Sequence, residues 1–181
     1  MNKHQRTNRA WRLDQLLESA RRGPTLFGRA VNGSVAWRLS GPDRVMAYRL
    51  VAHAGVLAAE LPTLATWDFD LGGDLPHVLL GRFTQPCRRG LLLPLDGSLA
   101  AMLREFLHER SADQPLFTLD EASRLNQVVR FDAIRGRLAD RVNAAALESA
   151  FVDRVRATSA EPRRDWSNAA VELPIDPHQV C

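Results

Sequence analysis

GPDRVMAYRLVAHAGVLAAELPTLATWDFDLGGDLPHVLLGRFTQPCRRGLLLPL, residues 41–95, is the stretch that decides the fold of this chain. A helix is expected at its start, because the Ser40 hydroxyl can cap free amides, Asp43 follows three residues later and Pro42 tolerates a first helical turn. The next apolar residues share one stripe of that helix, which we expect to face a core: Val45, Met46, Leu50, Val51 and Ala54. The helix leads into a turn at Gly55 with a break at Pro62.

Two short apolar runs close the stretch. Residues 77–80 and 91–95 are separated by an arginine-rich link, and together they predict a β-hairpin. Between the helix and the hairpin lies the acidic and aromatic segment 67–71. We expect its Asp68 and Asp70 to cap a turn rather than to coordinate a metal.

Helices are predicted on both sides of this stretch. Apolar residues repeat near a period of 3.6 over residues 9–22, and residues 25–39 indicate a loop or a weak hairpin. Further helices are predicted over residues 99–110, over 120–129 with Thr118 as a cap, and over 131–157. The remaining residues have no periodic pattern, so an irregular tail is predicted.

Length and composition predict a folded domain that is not in a membrane. The chain has 181 residues, of which 45% are hydrophobic and 25% are charged, and no apolar run approaches the roughly 18 to 20 residues that cross a bilayer. Two cysteines in unrelated contexts and five scattered histidines predict no disulfide framework, no metal site and no cofactor. We expect a cytoplasmic protein.

The charge is concentrated near the N-terminus. The formal net charge is +3, but residues 1–29 carry seven basic residues against Asp14 and Glu18, which leaves the rest of the chain slightly negative. A basic arm ahead of a near-neutral domain is a common arrangement for contacting phosphate backbones, and it is equally typical of a solubilising tail.

Short motifs follow one another in a fixed order along residues 40–140: Gly41-Pro42-Asp43-Arg44, Tyr48-Arg49, Gly55 with Glu60-Leu61, Asp68-Phe69-Asp70-Leu71, Pro76 with Val78, Arg88-Arg89, Leu93-Pro94-Leu95, Leu103-Arg104 with Phe106-Leu107, and Pro115-Leu116-Phe117. This ordered series resembles the catalytic domain of tyrosine recombinases, the phage-integrase family. The resemblance implies an α+β fold that is mostly helical, with a small antiparallel β-sheet or hairpin.

The resemblance also implies a division of the chain. Residues 1–39 would be a basic N-terminal arm with a short amphipathic helix, residues 40–157 a degenerate integrase-like catalytic domain, and residues 158–181 an irregular C-terminal tail. Residues 1–39 are too short for the separate helical bundle that the family uses to clamp a duplex.

The chemistry of the family can be checked position by position. A tyrosine hydroxyl attacks a DNA phosphodiester, while two arginines and neighbouring histidine or lysine groups stabilise the developing charge and protonate the leaving oxygen. The resemblance puts Leu57 at the first arginine and Gln85 or Pro86 at the lysine. It puts the His-x-x-Arg box on residues 131–136, where Asp132 replaces the histidine and Arg135 is retained.

These replacements predict a fold that does not cut DNA. Leu57 has no donor, and Asp132 is expected to repel a phosphate rather than protonate it. No tyrosine follows Arg135, and the single tyrosine, Tyr48, is expected to be a core aromatic with its hydroxyl at the rim. We therefore expect no intact catalytic residue, with Arg135 as the remnant of the site.

Three functional interpretations remain open. The first is a recombinase-like or integrase-like protein that contacts the DNA backbone weakly and without sequence readout, through Arg82, Arg88, Arg89, Arg135, Arg9 and Arg12. The second is a protein-interaction module, with a recombinase-like protein as partner, because Leu57 and Pro86 could form an exposed apolar patch. The third is an unrelated small α+β protein with no DNA role.

Overall fold

The computed structural model describes residues 13–80, 90–108, 110–111, 114–138 and 142–159. Helix α1 covers residues 13–21 and is followed by strands β1 (Leu26–Arg29) and β2 (Val35–Leu39). The stretch of the motifs then folds into helix α2 (Gly41–Arg49), the short strand β3 (Phe69–Asp70), and strands β4 (His77–Leu80) and β5 (Leu91–Pro94). Three helices complete the described chain: α3 (Gly97–His108), α4 (Ala122–Arg135) and α5 (Ala144–Ser159).

Helix α2 begins as the sequence predicts. The Ser40 hydroxyl accepts a hydrogen bond from the amide of Asp43, and the Asp43 carboxylate accepts from the amide of Ser40 at 2.7 Å. Such a reciprocal box satisfies two amides that the helix leaves unpaired, and a cap of this kind typically stabilises a helix by about 1 kcal/mol. The helix continues into a π-helical turn, Leu50–Ala54, which delivers the chain to Gly55.

The predicted hairpin is confirmed and belongs to a three-stranded antiparallel sheet with the order β3-β4-β5. Val78 pairs with Leu93 in the hairpin and with Phe69 on its other side. The third strand was not predicted, because its two residues lie in the acidic link. The two aspartates of that link do cap turns: Asp68 accepts from the amide of Ala65 at 2.9 Å, and Asp70 accepts from the amide of Gly72 at 3.0 Å.

The weak hairpin expected before α2 is also present, as the antiparallel pair β1-β2. Helix α1 packs beside it in the same core as the rest of the described chain, since Leu16, Leu17 and Ala20 are buried together with Leu39 of β2. The division of the chain at residue 39 stays a prediction. Residues 1–12 of the predicted arm and residues 160–181 of the predicted tail lie outside the described residues.

Two predictions about the C-terminal helices were wrong. No helical break occurs near residue 130: α4 continues to Arg135, because Val128 and Val129 are buried in the core and keep the helix continuous, and α5 begins at Ala144. Helix α4 stops where Arg137 takes a left-handed conformation with φ of 53°. Thr118 does not cap α4, because the residue before the first helical turn is Glu121 and the Thr118 carbonyl instead accepts from the amide of Arg38 at 2.9 Å.

The architecture is therefore α+β and mostly helical, as predicted. Among the described residues, no helix combines the length and the apolar content that a membrane span requires.

Candidate nucleic-acid site

The turn that follows α2 is built around Gly55. This residue has φ of 76°, and its amide bonds the carbonyl of Leu50 to end the π-helical turn. A Cβ atom at residue 55 would lie 2.5 Å from the ring of Phe151 on α5. Glycine is thus required both by the left-handed backbone and by the close approach of α5.

The position that the resemblance assigns to the first arginine lies directly after this glycine. Leu57 is half-buried, and its amide donates to the Glu60 carboxylate at 2.8 Å. The next amide, that of Ala58, donates to the carboxylate of Glu148 on α5 at 3.2 Å. Two carboxylates therefore accept from amides of the turn, beside the apolar side chain of Leu57. A phosphate brought to these amides would be repelled by both carboxylates.

Helix α5 is the helix that packs against this turn and the π-helical turn before it. Besides Glu148 and Phe151, it contributes Arg154, whose guanidinium nitrogens lie 2.7 and 3.1 Å from the two ring nitrogens of His53. Burial, and to a smaller extent the charges of Arg154 and Arg49, lower the pKa of His53 from 6.5 to about 4. His53 is therefore a neutral imidazole at physiological pH.

Asp132, assigned to the histidine of the second box, does not face a phosphate. It is completely buried on α4, and its carboxylate accepts from Arg44 Nε at 2.8 Å and from the Tyr48 hydroxyl at 2.7 Å. The expectation that Asp132 repels a phosphate was wrong, because its charge is neutralised by a buried arginine. The Tyr48 hydroxyl, expected at the rim, is buried as well.

The buried pair of Arg44 and Asp132 was not predicted from the sequence, although the spacing of residues on α2 gave a partial indication. Arg44 and Tyr48 lie four residues apart on α2, so both face the same side of the helix. The remaining donors of Arg44 bond carbonyls at the end of α1 and on both sides of the β1-β2 hairpin, namely those of Ala20, Pro24 and Leu39. Burial and the neighbouring Asp132 raise the pKa of Tyr48 well above its ordinary value, so its hydroxyl stays protonated.

Arg135, the predicted remnant, lies at the end of α4 beside α1. It is exposed, with its guanidinium 3.5 Å from the carbonyl of Arg22 and 5.9 Å from the ring centroid of Phe131. Arg135 lines a shallow cleft of about 440 Å³, and the acidic residues Asp14 and Glu18 line the same cleft. The role of Arg135 stays a prediction.

The other predicted DNA contacts, Arg82, Arg88, Arg89, Arg9 and Arg12, lie outside the described residues, as do Gln85 and Pro86. Within the described ranges, no three His, Cys, Asp or Glu side chains are grouped so that they could hold a metal ion.

Two solved structures share this architecture. The chain is similar to a structure titled "Crystal structure of XerA recombinase", with 14% sequence identity, a TM-score of 0.59, and coverage of 89% of this chain and 50% of that one. The chain has a tyrosine-recombinase fold. It is also similar to the XerH site-specific recombinase bound to difH substrate in a pre-cleavage complex, with 16% identity, a TM-score of 0.54, and coverage of 81% of this chain and 41% of that one.

The chain thus spans half or less of the length of these recombinases. No family model matches it, and no curated protein is similar to it in sequence. The similarity to the two solved structures is therefore one of fold.

Proposed function

We propose that this chain is a recombinase-like protein that associates with DNA and does not cleave it. The observation that carries the proposal is the Gly55–Glu60 turn. Gly55 has no room for a Cβ atom beside Phe151, and Leu57 lies where the resemblance puts the first arginine. The carboxylates of Glu60 and Glu148 accept from the amides of Leu57 and Ala58.

The charge at this turn is unsuited to the transition state of strand cleavage. A phosphorane carries negative charge that must be met by preorganised donors, and loss of one such donor typically costs about 10²- to 10³-fold in rate. Here the amides of Leu57 and Ala58 donate to two carboxylates, and the Leu57 side chain is aliphatic. Tyr48 is no substitute nucleophile, because its hydroxyl is buried and donates to Asp132.

Binding to the phosphate backbone of DNA needs none of these groups. Arginines contact phosphates as simple cations and confer little sequence readout. We propose Arg82, Arg88, Arg89, Arg135, Arg9 and Arg12 as contributors to such binding, in a cytoplasmic protein that acts in DNA recombination or integration. The neighbour XerH, which was solved with its difH substrate, supports a nucleic-acid partner for the fold.

A salt titration tests the proposal. The affinity of the purified protein for a fluorescein-labelled duplex would be measured by anisotropy between about 50 and 200 mM salt, where phosphate contacts make log K fall linearly with log salt. We expect micromolar binding at the lower salt concentration and a steep fall in affinity. A protein that shows no binding at micromolar concentration and low salt would refute the DNA association.

A protein-interaction role is the second candidate, favoured by apolar side chains exposed on two adjoining helices. Ile134 on α4 is 69% exposed, and Val152 and Val155 on α5 are 43% and 46% exposed. Exposed apolar groups of this kind are typical of interaction surfaces. Co-elution with a purified full-length tyrosine recombinase, abolished by Ile134→Glu, would favour this role; separate elution of the two proteins would exclude it for that partner.

A further inference from the structure

The β1-β2 hairpin has two different faces. Leu26, Trp37 and Leu39 point inward, and Leu39 is completely buried. The opposite face is exposed: Phe27 and Arg29 alternate with the inward residues, Arg38 is the cross-strand partner of Phe27, and Val35 is the partner of Arg29. Cross-strand partners project on the same side of a sheet, so these four side chains form one surface. We call it the outer hairpin face.

An irregularity in the ladder creates this arrangement. Gly28 pairs with Trp37, but the next residue, Arg29, pairs with Val35, which leaves Ala36 as an extra residue. Such a bulge shifts the alternation of side chains along the strand by one residue. Because of this shift, Trp37 faces inward and Val35 faces outward, although the two residues are only two positions apart on β2.

The hairpin is held firmly against the domain. A Cβ atom at residue 28 would lie 2.1 Å from Trp37 Nε1, so the indole lies directly across the backbone of Gly28. The amide of Arg38 donates to the carbonyl of Thr118 at 2.9 Å, which ties β2 to the chain before α4. A surface on such a support is presented in a fixed orientation, so a partner pays little ordering entropy to bind it.

The charge of this segment has one sign. Residues 19–42 contain four arginines and no aspartate or glutamate. Arg21 and Arg22 pair with Glu18 of α1. Arg29 donates only to the carbonyl of Gly33 and lies 6.0 Å from the ring centroid of Phe27, and neither it nor Arg38 forms an ion pair with any residue that the structure describes.

We propose that the outer hairpin face contacts duplex DNA, with Arg29 and Arg38 on backbone phosphates and Phe27 and Val35 on the apolar surface between them. The inference rests on the proposed DNA association and adds a site to it. A two-stranded ribbon is narrow enough to enter a major groove that is about 12 Å wide. Arginines that form no ion pair with the described residues can contact phosphate oxygens, and the exposed ring beside them can contact the sugars.

The test compares two double variants. Arg29→Ala with Arg38→Ala removes both charges of the outer hairpin face. Arg130→Ala with Arg156→Ala removes two exposed arginines from α4 and α5 and serves as the matched control. All four side chains are exposed, and thermal unfolding followed by circular dichroism would confirm that both variants fold as the unaltered protein does.

The slope of log K against log salt is negative, and each lost phosphate contact makes it less steep by about 0.9. For the hairpin variant, which loses two contacts, we therefore expect a slope that is less steep by about 1.8. Its affinity for a duplex should be reduced roughly tenfold or more at about 50 mM salt. The control variant should keep the slope of the unaltered protein. A purely structural role for the two arginines would not change this slope.

The outcomes separate the two proposals. If the unaltered protein binds and the hairpin variant keeps its slope, or if the control loses as much, the hairpin proposal is overturned and the DNA association stands. If the unaltered protein does not bind, both fail. Loss of binding to a single-stranded oligonucleotide with full retention of duplex binding would also overturn the hairpin proposal, because it would assign the face to another ligand.

Discussion

Asp132→Asn removes one negative charge from the middle of the protein and leaves the shape of the side chain almost unchanged. In the native chain the Asp132 carboxylate bonds Arg44 at 2.8 and 3.4 Å and Tyr48 at 2.7 Å, and all three residues are completely buried. The variant therefore keeps a buried guanidinium whose charge has lost its counterion.

The size of the effect follows from what Arg44 retains. Breaking a buried ion pair by removing one partner typically destabilises a protein by about 3–5 kcal/mol. Arg44 keeps three carbonyl acceptors, and the asparagine oxygen can still accept from Tyr48. We expect the lower end of that range, about 3 kcal/mol, which for a chain of this size is a fall in Tm of roughly 6–12 °C.

Urea unfolding at neutral pH, followed by circular dichroism at 222 nm, measures the change in the free energy of unfolding. The matched control is Asp120→Asn, which breaks an ion pair with Arg124 whose side chains are 30% and 31% exposed. Such surface pairs contribute little, so the control should unfold like the unaltered protein. If Asp132→Asn costs less than about 1 kcal/mol, the buried ion pair does not stabilise the core.

Two further substitutions test the turn after α2. Gly55→Ala should destabilise the protein clearly more than Gly73→Ala. Both glycines have positive φ, but only at Gly55 would the new Cβ atom lie within 3 Å of a ring, that of Phe151. Equal losses of Tm in the two variants would contradict the close packing of α5. Folding lowers the pKa of His53 from 6.5 to about 4, so between these pH values the unfolded state binds a proton that the folded state does not. Protonation of His53 therefore favours the unfolded state, and the free energy of unfolding falls as the pH decreases from 6.5 toward 4. His53→Gln should therefore flatten the fall of Tm between pH 6.5 and 4, whereas an unchanged pH profile would mean that burial and the neighbouring arginines do not hold the imidazole neutral.

Local patterns predicted most of the fold. The capping pair Ser40 and Asp43 and the two apolar runs on either side of the arginine-rich link specify their own structure, because the interacting residues are close in sequence. Strand β3 could not be found in this way, since Phe69 and Asp70 become a strand only by pairing with β4. The end of α4 was misplaced for a similar reason, because burial of Val128 and Val129 against the core outweighs the local signal.

The candidate site was predictable only in part. The motif around Gly55 located the turn, since glycine with positive φ leaves a recognisable signature. The assignment of Leu57 to the first arginine stays a prediction. The neighbours of the turn depend on tertiary packing: Glu148 lies 90 positions from the amide of Ala58 that it accepts from. The ion pair of Arg44 with Asp132 spans 88 positions, and the sequence indicated only that Arg44 and Tyr48 share one side of α2.

The most direct test of a recombinase fold that associates with DNA without cutting it is a single labelled-duplex sample, divided between a native gel and a denaturing gel. At micromolar protein and about 50 mM salt, the native half should contain a shifted complex. The denaturing half should contain only intact, protein-free strands, because no phosphotyrosyl link forms. A labelled band that stays attached to protein after denaturation, or a native lane without any complex, would contradict the proposed function.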